Sequence, residues 1–275
     1  MPVTGGRPVA GPSAAEIVRS GATLRPVSLV PEIRLYQAAE PMSVWQLTEQ
    51  ATGRTGLDPP FWAFAWAGGQ ALARYLLDHP ETVATRHVID IASGSGLVAI
   101  AAAKAGAAAV TAYDIDPLAA AAITLNAQAN DVAIRTLCAD ILGDHPESPD
   151  GTGLSDDALP HDSASLIDDA LPHGSAGLSD DAPPLGGAGL SDDALPLGGA
   201  GLVLIADAFY ERDLAAQALR FAERARARGA AVLVGDLGRA YLPRARLTPL
   251  ASYDVPDLAP LEDRDTKRST VWTLR

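Results

Sequence analysis

Apolar residues arrive along this chain in short runs, separated by turns bearing glycine, aspartate and proline. Residues 86–91 (RHVIDI), 108–115, 132–137, 201–206 (GLVLIA) and 230–235 (AAVLVG) have the length and branched content of buried strands. The Ala-rich segments 96–105, 117–129 and 211–228 predict helices, the second with Asp116 as N-cap and Pro117 as its first residue. Residues 244–252 and 268–274 predict two more strands, which an antiparallel hairpin would join. Strands alternating with helices predict an α/β fold: a mostly parallel sheet covered on both faces. Ahead of it, residues 27–36 read as extended and 42–52 as a short helix, after a disordered leader at 1–24.

One segment breaks the pattern. Residues 153–200 are four in-register copies of a twelve-residue unit, the first being GLSDDALPHDSA. Each copy offers little but Leu and Ala to bury, too little to offset the entropy of ordering. We read 150–200 as an acidic insert looped out of one domain that spans 25–275. Weak divalent-cation binding by its Asp pairs and a regulatory role stay open. The insert also explains the net charge of −13, because it holds ten Asp and no Lys or Arg. Outside it, 24 acidic residues nearly balance 21 basic ones, with no basic stripe suited to nucleic acid. No apolar run is long enough for a membrane span, and no secretory signal opens the chain. The single cysteine, Cys138, excludes an internal disulfide and fits a cytoplasmic setting.

In parallel sheets, ligands bind beyond the carboxyl ends of the strands. The chemistry-bearing residues fall there. The first strand runs through Asp90 into the turn 90-DIASGSG-96, where Gly94 and Gly96 allow close backbone approach. The second ends at Asp114, whose carboxylate suits ribose hydroxyls, and the third is followed by Asp140, within reach of an adenine amino group. Together these predict a nucleoside-shaped pocket. Residues 94–99 also satisfy the dinucleotide pattern, with an acid about 20 residues on. Asp90, however, stands where a dinucleotide fold carries an apolar residue. A carboxylate there suits the sulfonium and amino groups of S-adenosylmethionine.

At these residues the chain resembles the class I, seven-strand S-adenosylmethionine-dependent methyltransferases. Within them it is most similar to the electron transfer flavoprotein β-subunit lysine methyltransferase family and its bacterial relatives. The stretches that carry the resemblance are 58-DPPFWAFAWAGGQALARYLLDHP-80, 88-VIDIASGSG-96, 114-DIDPLAAAAITLN-126, 205-IADAFYERDLA-215, 234-VGDLGR-239 and 270-TVW-272. The resemblance implies a Rossmann-like, doubly wound seven-strand sheet with a C-terminal antiparallel hairpin. It implies that Trp62, Trp66, Gly68, Gly69, Ser93 and Ile115 join Asp90, Gly94, Gly96, Asp114 and Asp140 around the cofactor. Trp62 and Trp66 would share a face if their stretch were helical. Asp207, Phe209 and Tyr210 are the implied catalytic group, the carboxylate aligning a substrate lysine while the rings wall its channel. Asp236 is a further candidate at the next strand end. The chain departs from the family at Ala92, where a glycine is usual, and at Ala67, where proline is common.

The resemblance implies a monomeric enzyme that N-methylates lysine on a protein such as the electron transfer flavoprotein β subunit, without metal, nucleic acid or membrane. Two readings remain beside it. One is methylation of a ribosomal protein or a small nucleophile; the other is a non-catalytic S-adenosylmethionine-binding protein.

Overall fold

A computed structural model describes residues 11–143, 201–256 and 266–275. The twelve-residue repeats lie outside these residues.

Seven strands form one sheet: β3 (His87–Ile91), β4 (Ala109–Asp114), β5 (Arg135–Cys138), β6 (Leu202–Ala206), β7 (Ala231–Asp236), β8 (Leu247–Pro256) and β9 (Thr266–Leu274), in the order β5-β4-β3-β6-β7-β9-β8. Strands β3 to β7 are parallel, while β9 pairs antiparallel with both β7 and β8. The expected seven-strand sheet with its closing hairpin is therefore present. Alternate residues explain why its strands look apolar throughout. Val88, Leu202 and Leu204 face one core with α3 (Ala67–Asp78) and α4 (Leu97–Lys104). Ile89, Val203 and Ile205 face another with α6 (Arg212–Ala227). A strand buried on both sides has no polar face to show. Helix α5 (Pro117–Ala129) starts as expected, with the Asp116 side chain accepting the Leu118 N–H.

Four local expectations need correction. The leader contains a helix, α1 (Ala14–Gly21), whose Ser13 and Glu16 form a reciprocal capping box. Its buried Val18 packs in a third core with α2 (Pro41–Thr52), α5 and Trp62. The extended stretch after it is a hairpin, β1 (Thr23–Pro26) against β2 (Arg34–Gln37). Strand β5 begins at Arg135 rather than at 132, because the Val132 N–H donates to the Ala127 carbonyl to finish α5. Strand β8 also runs on to Pro256, with a register shift at Pro249, which has no N–H to give the ladder.

Two buried asparagines fasten the β1–β2 hairpin to the sheet's ligand end. Asn126 accepts the Tyr36 N–H at 2.7 Å and donates to the Ser95 carbonyl at 2.8 Å, while Asn130 exchanges two hydrogen bonds with Arg34. The hairpin is thereby tied to the glycine turn.

Candidate functional site

The chain runs outward from β3 to β4 and β5, then returns to β6 on the other side of β3. At that reversal a cleft of about 1250 Å³ opens over the carboxyl ends of the strands.

Its floor is the turn after β3. Asp90 is almost fully buried, and its Oδ2 accepts the Ser93 hydroxyl at 2.6 Å and the Ala99 N–H at 3.1 Å. Burial pushes its carboxyl up to about 7 against those two hydrogen bonds. Gly94 has φ +57° with open space above its Cα, so the backbone there can meet a ligand directly. Gly96 has φ +79°, and a Cβ would press on Ile123 at 3.3 Å, so it serves the turn rather than the cleft. Ala92 stands at φ +49°, a left-handed conformation that glycine holds more easily. Asp114 closes this side: its Oδ2 accepts the Gly94 N–H at 2.8 Å and its Oδ1 the Asp116 N–H at 3.0 Å. Burial raises its pKa while these donors oppose the rise. Ser93, exposed Ile115 and exposed Asp140 complete the nucleoside side of the cleft.

The opposite wall comes from residues 58–69. Trp62 and Trp66 do not share a helix. Pro59 and Pro60 lead into a single turn of 3-10 helix at Phe61–Ala63, Phe64 is extended, and Trp66 caps α3. The two rings thus part: Trp62 is buried, whereas Trp66 is exposed at the mouth with its indole N–H on the Phe61 carbonyl. Phe61 bridges Trp66 and Tyr210, with ring centroids 6.1 and 5.5 Å away. Phe64 meets Trp66 from behind at 5.9 Å. The density of rings in 61-FWAFAW-66 was the sequence signal for Phe61 and Phe64, which were assigned no role.

The third wall joins β6 and β7. Asp207 has φ +56°, its N–H on the Gly235 carbonyl. Its Oδ2 accepts the Gly69 N–H at the start of α3 at 2.7 Å, and its Oδ1 meets Arg239 Nη1 at 2.5 Å. Burial raises the Asp207 pKa, and Arg239 counters it. Tyr210 lines the cleft, but its neighbour Phe209 packs in the core beneath the sheet with α6. Gly68 lies against β7 rather than at the cleft surface: a Cβ there would collide with the Gly235 carbonyl and sit 2.6 Å from Asp207 Oδ2. The structure thus gathers Asp90, Ser93, Gly94, Asp114, Ile115, Asp140, Trp62, Trp66, Gly69, Asp207 and Tyr210 around one cavity. It leaves Phe209, Gly68 and Gly96 as supports behind it. Arg239 is the principal residue that sequence reasoning left without a role, since its partner lies 32 positions away.

These walls fit S-adenosylmethionine. The open backbone at Gly94 and the Asp114 carboxylate suit its nucleoside, and carboxylates beside aromatic faces suit its sulfonium cation.

Comparison with known proteins agrees. The profile for Ribosomal protein L11 methyltransferase (PrmA) matches residues 71–150. The electron transfer flavoprotein beta subunit lysine methyltransferase of Xenopus laevis is 31% identical over 251 residues, 90% of this chain and 80% of that one. The Danio rerio protein of the same name is 32% identical over 89% of this chain and 76% of its own length. The Homo sapiens one reaches 48% over 103 residues, 38% of either chain. Among solved structures, a magnesium protoporphyrin IX methyltransferase from Synechocystis covers 76% of this chain and 80% of that one at 12% identity and a TM-score of 0.42, too loose a likeness to carry any inference about the site. Fold, cleft and relatives define an S-adenosylmethionine-dependent methyltransferase. The chain belongs to the electron transfer flavoprotein beta subunit lysine methyltransferase family.

Proposed function

We propose that this enzyme N-methylates lysine on the electron transfer flavoprotein β subunit of its own host, acting as a monomer in the cytoplasm. One observation carries the choice of target. Similarity to relatives named for that activity runs through about 90% of the chain. Similarity to a ribosomal protein L11 methyltransferase covers only 64 residues in one case and 103 in another.

S-adenosylmethionine supplies an electrophilic methyl group on its sulfonium. The chain does the rest by placement. Asp114 and the Gly94 backbone hold the nucleoside end, with Asp140 near the base. Phe61, Trp66 and Tyr210 wall the approach for the lysine side chain. An ammonium has an ordinary pKa near 10.4 and must lose a proton before it can attack. Entry between aromatic walls strips its water and lowers that pKa, so solvent can take the proton without a dedicated base. Asp207, at the back of the channel, orients the amine. Holding nucleophile and methyl at attack distance accounts for most of the rate.

The test is methylation of the recombinant β subunit with labelled donor, followed by mass mapping of the modified residue. Label on a lysine of that subunit supports the proposal. Label confined to ribosomal protein L11, or to small molecules, moves the substrate elsewhere. Donor binding with no transfer to any of them would make the chain a binding protein.

A further inference from the structure

The carboxylate assigned to orient the amine is not free. Both its oxygens are engaged, one by the Gly69 N–H and one by Arg239. Arg239 is itself built in. Its Nη1 also meets Asp236 Oδ2 at 3.1 Å, and Asp236 is fully buried. The other oxygen of Asp236 accepts the N–H groups of Gly238 and Arg239, at 2.6 and 2.7 Å, folding the turn that carries the guanidinium. Gly238 stands at φ +85°, and its carbonyl accepts Arg244 Nη2 at 2.7 Å. The turn is thus fixed from both sides. Yet Arg239 lines the cleft rather than lying beneath it.

We propose that Arg239 is a positioning residue for methyl transfer, clamping Asp207 from the β7 turn so that its carboxylate stays charged and aimed into the lysine channel. This rests on the lysine methyltransferase reading above. Two carboxylates at the ends of neighbouring strands share one guanidinium, which leaves the trio with one net negative charge to offer a substrate cation. Without Arg239, Asp207 and Asp236 would face each other across the β6–β7 seam, and one would take up a proton. The acids around this corner are Asp90 and Asp114 on the cofactor side and Tyr210, Glu211 and Asp213 at the mouth. None of these can replace the guanidinium, and the neighbouring cation, Arg244, is held on the Gly238 carbonyl. Both contacts are made by the single Nη1 nitrogen, so lysine could restore the charge, but not the reach and flat plane of the guanidinium.

The experiment measures kcat and KM across pH for the full-length enzyme, with calorimetric donor binding alongside. Arg239→Gln should lower kcat about 10- to 100-fold near neutral pH. It should also move the acid limb of the profile to higher pH while leaving donor affinity nearly unchanged. Arg239→Lys should return the limb most of the way with partial recovery of kcat. Asp236→Asn keeps an oxygen for the turn and removes a negative charge, so it should move the limb the opposite way, to lower pH. An acid limb that stays put in Arg239→Gln, or the same direction of shift in Arg239→Gln and Asp236→Asn, overturns the proposal. Should Arg239→Gln fail to fold, the Lys and Asn variants decide by the same signs. A wild-type enzyme that methylates no lysine removes the reading and this clamp together; an active wild type with indifferent variants removes only the clamp.

Discussion

Ala92 sits in the left-handed region on the floor of the cleft, at φ +49°. A Cβ in that conformation costs on the order of 1 kcal/mol, and glycine escapes it. Ala92→Gly should therefore stabilise the protein by about 0.5–1 kcal/mol in urea unfolding, and it should tighten donor binding if the methyl narrows the approach. Two residues earlier, Asp90 is held protonated by burial until about pH 7. Its folded pKa lies above the ordinary value near 3.9, so the native state binds the extra proton between those limits. Its contribution to stability is full below pH 4, falls as pH rises toward 7 and is flat above. The stability difference between wild type and Asp90→Asn, measured without donor at pH 4, 5.5, 7 and 8, should trace that fall. Affinity for the cationic donor should run the other way and rise over the same interval. A difference independent of pH would show that Asp90 stays ionised.

Helix α3 is the element that holds the site together. Its first turn lies so close to β7 that Gly68 and Gly235 face each other backbone to backbone. That contact lets the Gly69 N–H reach Asp207 and sets Trp66 at the mouth. Gly68→Ala would drive α3 off the sheet, because the nearest atom it meets is the Gly235 backbone carbonyl, which cannot swing away, and the next is the Asp207 carboxylate, already held by Gly69 and Arg239. We expect a loss of about 1–3 kcal/mol in stability. Transfer should fall more than donor binding, since the helix start carries the substrate side of the cleft. Equal losses in both would place the helix among the cofactor supports instead.

At the scale of the molecule, the described residues supply the seven strands of the main sheet, both helical layers and the cleft walls set out above. Residues 153–200 lie outside the described residues. Deleting them shortens one connection, and loop length has only a shallow effect on closure, about 0.6 kcal/mol per doubling. The deletion variant should keep its melting temperature within a few degrees and bind donor as the full chain does. Lost donor binding in a folded deletion variant would make the repeat part of the site.

Local pattern determined much of this protein. The strands at 87–91 and 202–206 and the helix at 117–129 are written in runs of apolar residues and in one Asp-Pro cap. The acids at successive strand ends could be placed on the cofactor side because parallel topology puts every strand's carboxyl end on one edge. The capping box 13-SAAE-16 was equally legible, though proline and glycine around it suggested disorder. What only the tertiary structure decided are contacts between distant segments. Phe209 and Tyr210 are neighbours in sequence, yet one packs under the sheet and the other faces the cleft. Trp62 and Trp66 part because the 3-10 turn ends at Ala63 and the chain runs extended through Phe64 before α3 begins. Arg239 finds Asp207 only because β6 and β7 lie side by side, which brings together residues whose separation in sequence carries no trace of the pairing.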